Sequence, residues 1–162
     1  MLRMIRAVRR NHALEHATIS ILMSKLGQQT RMIGRAAPDG FYIYGDVPMA
    51  EIEVSAQEGL ARLCKGEDSL AVSPLCGTNL AVAGVLAGLS SLLALGPGGR
   101  LTRLPNVLTA ALLAVLAAQP LGRLVQKHFT TSADLSRTEI QKVQFLGRRF
   151  VPLHKVQTAY RE

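Results

Sequence analysis

The sequence predicts a mainly α membrane protein, a two-helix transmembrane hairpin joined to a small cytoplasmic α+β part that contains a β-hairpin. Three observations predict it. No charged residue falls between Asp68 and Arg100, and a second uncharged run extends from Pro105 to Gly122. Runs of about 20 residues, rising 1.5 Å each as helix, cross a hydrocarbon core of about 30 Å. The flanks of these runs are ordinary amphipathic sequence, with 19 Lys and Arg against 11 Asp and Glu overall and a net charge of +8. The mean hydropathy is nevertheless positive, +0.20. A chain of 162 residues could scarcely bury two helices that are apolar all round, so lipid is the better solvent for them.

A basic chain suits an anionic partner, nucleic acid or a lipid surface. Aromatic residues make up 4% and Trp is absent, which disfavours base-stacking modules; no nucleic acid is expected. Cys64 and Cys76 are the two cysteines and read as reduced thiols. The start, MLRMIRAVRR, has arginines without a following apolar stretch and does not read as a cleavable leader.

Residues 2–26 read as one helix, with Leu2, Ile5, Val8, Leu14, Ile21 and Leu22 at near-helical spacing and Gly27 as its stop. Arg3, Arg6 and Arg10 share one side, which fits either an amphipathic helix on anionic lipid or a solvated basic face. Within it lies HALEH. His12 and His16 are one turn apart on one face, and Glu15 borders it. Two such imidazoles can ligate one metal ion, and an adjacent Glu can act as general base towards metal-activated water; H-x-x-E-H is the inverzincin spacing. An isolated HxxxH pair is also what a packed helix uses for hydrogen-bonded histidines.

Residues 31–45 predict two strands about a Pro38-Asp39-Gly40 turn, the second being Phe41 to Tyr44. Residues 49–65 predict a helix with Met49, Ile52, Ala56, Leu60 and Leu63 on its apolar face. Cys76–Leu95 and Pro105–Val125 are the two membrane helices, joined by the tight GPGGRLTRLP connection. Arg100 and Arg103 in that loop face Arg62, Lys65, Arg123, Lys127 and Arg137 on the other side, so both termini are expected in the cytoplasm, at the inner membrane. Gly84 and Gly88, with Ala110, Ala114 and Ala118, are expected to seal the hairpin or a dimer. Residues 137–147 predict one more helix, capped by Ser136 and Glu139, with Ile140, Val143 and Leu146 on one face. The tail RRFVPLHKV shows no clear period, and His128 and His154 stay unassigned. The expected division is 1–72 as an interfacial region, 73–126 as the hairpin and 127–162 as a C-terminal helix and tail.

Three separated stretches then come into view together: HALEHATI, PLCGTNL at 74–80 and QPLGRLVQKHFTTSADL at 119–135. The chain resembles the YqhQ-like bacterial membrane proteins, a family of predicted metal-dependent enzymes, and more closely a shorter cyanobacterial and green non-sulfur bacterial group carrying HALEHATI and CGTN. The resemblance places His12, Glu15, His16, Cys76, Gly77 and Thr78 on motif positions. Ser73 stands where the family pattern has His before Pro, which removes one imidazole from the set.

Two functions follow as expectations. The first is a metal-dependent hydrolase at the cytoplasmic membrane face. His12, His16 and Cys76 would hold Zn²⁺ and leave a fourth position for water, with Glu15 as catalytic base, Gly77 allowing close backbone approach, and Thr78 or Asn79 positioning substrate. A thiolate at the start of a membrane helix meets the positive end of its dipole, which makes Cys76 a competent ligand. The second is a non-catalytic assembly factor or accessory subunit of a larger membrane complex, in which the histidines make structural hydrogen bonds, bind a structural metal or ligate a tetrapyrrole.

Overall fold

Helix α1 (Leu2–Leu26) buries the face formed by Ala13, Leu14, Ala17, Thr18, Ile21 and Leu22, positions three and four apart that lie on one side of a helix. Strands β1 (Met32–Ala37) and β2 (Gly40–Gly45) follow as a hairpin, then helix α2 (Met49–Cys64). Helices α3 (Gly77–Leu95) and α4 (Leu104–Val125) come next, and strands β3 (Thr138–Arg148) and β4 (Pro152–Tyr160) close the chain. The computed structural model describes residues 1–27, 29–96, 102–148 and 150–161. Residues 97–101 of the expected GPGGRLTRLP connection, Arg100 included, lie outside them.

The chain divides into two units, residues 1–73 with 127–162, and residues 74–126. In the first, one sheet runs β1-β2-β4-β3 with every neighbouring pair antiparallel. Phe41 and Ile43 alternate inward along β2 and meet Leu14 and Leu22 of α1, Ile52, Ala56 and Leu63 of α2, Leu135 and Val156 in one core. Each large side chain fully buried there contributes about 1.5–3 kcal/mol. Gly59 lets α2 come close to α1: a Cβ at that position would lie 3.1 Å from the Ala17 Cβ. The hairpin turn is tied to β4. Asp39 pairs with Lys155 at 2.6 Å, and the ammonium also sits 4.0 Å from the centre of the Tyr42 ring. The bond from Lys155 holds the Asp39 carboxyl below the usual carboxylate range.

Strand β3 (Thr138–Arg148) stands where helical spacing predicts a helix at 137–147. The reason is a pair of β-bulges. Ile140 faces Thr158 and Lys142 faces Gln157, so Gln141 is the extra residue; Val143 then faces Val156. The bulge returns Ile140 and Val143, three apart, to the same face of the strand, which imitates a helical period. Leu146, the third member of the expected helical face, is the extra residue of the second bulge and is half exposed. Ser136 does not cap a helix; its hydroxyl donates to Asp134 at 2.8 Å in the turn before β3. From Pro152 on, the aperiodic tail is β4, a central strand. It buries His154 and Lys155 beside Val156, so polar residues stand where a half-buried strand would show apolar ones. The sheet therefore has four strands, not the two of the expected hairpin.

His154 has a consequence for stability. Its Nδ1 is buried without a partner among the described residues. Burial pushes the imidazole pKa down, and the nearby Asp46 carboxylate and a backbone bond at Ile43 only partly oppose this. The folded state thus prefers the neutral ring, while the unfolded chain takes up a proton near the usual value of about 6.5. Stability from this group is present above that pH and falls as pH drops below it. Thermal unfolding between pH 5 and 8 should show this acid loss in the native chain and a flatter profile in His154→Leu; identical slopes would contradict it.

In the second unit α3 and α4 pack on each other, and the Ser90 hydroxyl donates to the Ala110 carbonyl at 3.3 Å. The close approach is made by Gly122, where a Cβ would come within 2.9 Å of Asn79 Cγ. Gly84 and Gly88 do not seal it: a Cβ at either would meet nothing within 4 Å. Leucines point outward along both helices, Leu80 being 78% and Leu93 84% exposed. Gly77–Leu95, with 19 residues, and Leu104–Thr130, with 27, are long and apolar enough to cross a membrane; the second counts the wide turn Gln126–Thr130 that continues α4.

Candidate metal centre

The site is built from α1. Asn11, on its buried face, donates to the carbonyls of Ala37 (2.8 Å) and Pro38 (3.2 Å) and accepts from the Thr158 hydroxyl (2.7 Å). These bonds fix the axial and rotational setting of the helix against the hairpin turn and β4. Arg9 fixes it on another side, donating to the carbonyls of Thr131 and His128. His12 and His16 are therefore held by a helix that is itself clamped by buried polar groups.

The two rings lie with centroids 4.3 Å apart, their planes inclined by 57°. His12 Nδ1 is 3.0 Å from the Thr130 carbonyl, and His16 Nδ1 is 2.9 Å from the Ala71 carbonyl. A carbonyl only accepts, so each Nδ1 carries the proton. In the neutral ring the lone pair is then on Nε2. This is the arrangement that metal-ligating histidines adopt, the outer nitrogen bonded to a carbonyl and the other presented to the ion. Glu15 is 5% exposed, and its Oε2 lies 3.9 Å from His12 Nε2. Space for its carboxylate comes from Gly34 in β1, where a Cβ would come within 2.6 Å of Glu15 Cγ.

Cys76 belongs to the second unit. It is the N-cap of α3, and its Sγ accepts from the Thr78 amide at 3.4 Å. Asn79 is buried and donates to the Pro74 carbonyl at 2.8 Å while accepting from Gln126 at 2.8 Å, bonds that close the start of α3 on the end of α4. A Cβ at Gly77 would meet nothing within 4 Å. By residue type, His12 and His16 of the first unit and Cys76 of the second each offer one atom able to ligate a metal ion. Two imidazoles and a thiolate admit zinc without selecting it over copper or iron.

Sequence reading missed the groups that orient the rings. Gly34 carried a usable signal, a lone glycine inside a strand pattern, which often marks close approach of another group. Asn11, a polar residue one turn before Glu15 on the buried face of α1, carried another. The carbonyls of Ala71 and Thr130 carried none, because every residue has a carbonyl.

An α+β unit carrying an HxxEH helix, with a pair of long apolar helices inserted in its chain, defines the class. Residues 7–143 match a family described as a domain of unknown function, DUF6391, and the chain belongs to it. An uncharacterized protein of Picosynechococcus sp. is 34% identical over 157 residues, covering 87% of this chain and 75% of that one. No solved structure matches. Neither match names an activity or a metal, and neither extends to the YqhQ-like family.

Proposed function

We propose that this is an integral membrane protein in which His12, His16 and Cys76 hold one zinc ion at the cytoplasmic face, and that it is a metal-dependent hydrolase. The observation that carries the reading is the pair of Nδ1 bonds to Ala71 and Thr130, which leave both Nε2 lone pairs as donors on one helix face. Cys76 follows Ala71 by only five residues, a short tether for a third ligand. Three protein ligands is the count of an open catalytic zinc site. When bound, the metal would lower the pKa of a coordinated water towards about 7. Glu15, buried beside His12, would accept the proton. Thr78, at the start of α3, would position substrate. The resemblance of the HALEHATI and CGTN stretches to YqhQ-like proteins points the same way.

A second reading draws on the same bonds. Each histidine ties α1 to a segment beside a unit boundary, Ala71 before it and Thr130 after it. Imidazoles acting as such struts suit a non-catalytic assembly factor or an accessory subunit of a larger membrane complex. Plasma mass spectrometry on the detergent-purified chain separates the two. About one zinc per chain, retained in Glu15→Gln, supports the metalloenzyme; no metal, with larger membrane subunits co-purifying in fixed ratio, supports the accessory role.

The proposed orientation places both termini in the cytoplasm of a bacterial cell, with the 96–103 connection outside. In a background with Cys64 and Cys76 replaced by Ser, a membrane-impermeant maleimide added to intact cells should label Thr102→Cys and leave Ser132→Cys unlabelled. The reverse pattern would invert the topology.

A further inference from the structure

The first three turns of α1 carry charge of the wrong sign for a helix start. Carboxylates are what the positive end of a helix dipole favours, yet the first turn has none, and no side chain caps it. Arg3, Arg6, Arg9 and Arg10 instead line one open cavity of about 550 Å³, together with Ser132 and Tyr160. Among the described residues of its wall Asp134 is the acidic group, and its Oδ1 is engaged by the amide and hydroxyl of Ser136. Arg10 is held in place by stacking, its guanidinium carbon 3.7 Å from the centre of the Tyr160 ring. Arg9 spends donors on the His128 and Thr131 carbonyls and contributes mainly its charge. Four guanidinium groups around one cavity repel one another, and an anion seated among them relieves that repulsion and the dipole together.

The same turns decide the kind of anion. Met1, Leu2, Met4 and Ile5 are exposed, Met1 by 96% and Leu2 by 69%. Large apolar side chains beside a basic cavity match acyl chains beside a headgroup, whereas a free inorganic ion would leave them in water. We propose that this cavity seats the phosphate of an anionic phospholipid, with Arg3, Arg6 and Arg10 around the phosphate and Leu2 and Ile5 against the lipid chains. The site stands whether or not His12 and His16 hold metal.

The test uses the full-length chain in mixed detergent micelles doped with phosphatidylglycerol or with phosphatidylcholine, and separately titrated with inorganic phosphate. Phosphatidylglycerol should bind, phosphatidylcholine should not, and inorganic phosphate should compete only weakly. Arg6→Gln and Arg10→Gln should each weaken phosphatidylglycerol binding roughly tenfold, the loss of a charge-assisted contact. Arg35→Gln removes the same charge from an exposed position on β1, outside the cavity, and should change affinity less than about twofold. Equal weakening by all three substitutions would mean diffuse surface charge and overturn the proposal. Inorganic phosphate binding as tightly as the lipid would overturn the lipid occupant.

Discussion

His16→Ala is expected to abolish metal binding, reducing zinc from about one per chain to a background level in detergent-purified protein. His16 is the most constrained of the proposed ligands. It is 4% exposed, its Nδ1 bonds the buried Ala71 carbonyl, and its ring packs 4.3 Å from that of His12. Water entering the space left by Ala cannot supply an equally basic, pre-oriented donor. The substitution also strips the Ala71 carbonyl of its partner, which costs about 1–3 kcal/mol even without metal. The two effects separate in a thermal unfolding series. Added zinc should raise the melting temperature of the native chain, because an ion bound only by the folded state stabilises it, and should leave that of His16→Ala unchanged. Full metal retention in His16→Ala would remove His16 from the ligand set.

Gly34→Ala is the second large expectation, and it concerns Glu15. The added methyl would overlap the carboxylate and lie within 2.6 Å of Cγ, in a place where Glu15 is almost fully buried. The side chain has to leave its pocket or β1 has to shift, an overpacking cost of about 1–3 kcal/mol. A double-mutant cycle identifies the cause. In a Glu15→Ala background the same substitution should be nearly neutral, giving a coupling of about 1–3 kcal/mol between the two positions. Additive losses would show that the strain lies in the strand and not in the carboxylate. Because Glu15 is proposed as base and not as ligand, Gly34→Ala should leave the metal content near that of the native chain.

The elements with long, regular apolar spacing were legible in the chain. Helices α1 and α2 and the two uncharged helices coincide with their expected spans to within a residue or two, and the Pro38-Asp39 turn stands where its chemistry put it. The C-terminal strands were not legible, for a definite reason. Ile140 and Val143 satisfy a helical period, and only a bulge at Gln141 makes that spacing compatible with one face of a strand. Bulges depend on pairing with β4, which is non-local information. The buried Lys155 was equally opaque, since its partners Asp39 and Tyr42 lie more than a hundred residues away in the chain. At the candidate site HxxEH marked the helix and face, but orientation of the rings rests on two carbonyls, and room for the Glu15 carboxylate rests on a glycine. Those belong to backbone geometry, which residue types do not encode singly.

The central claim is that His12, His16 and Cys76 share one metal ion, and X-ray absorption at the zinc edge of the full-length protein tests it most directly. A first shell of two nitrogen ligands at about 2.0–2.1 Å and one sulfur at about 2.3 Å, with the sulfur lost in Cys76→Ser, is the predicted result. A shell of nitrogen and oxygen alone, or one whose sulfur persists in Cys76→Ser, would contradict it.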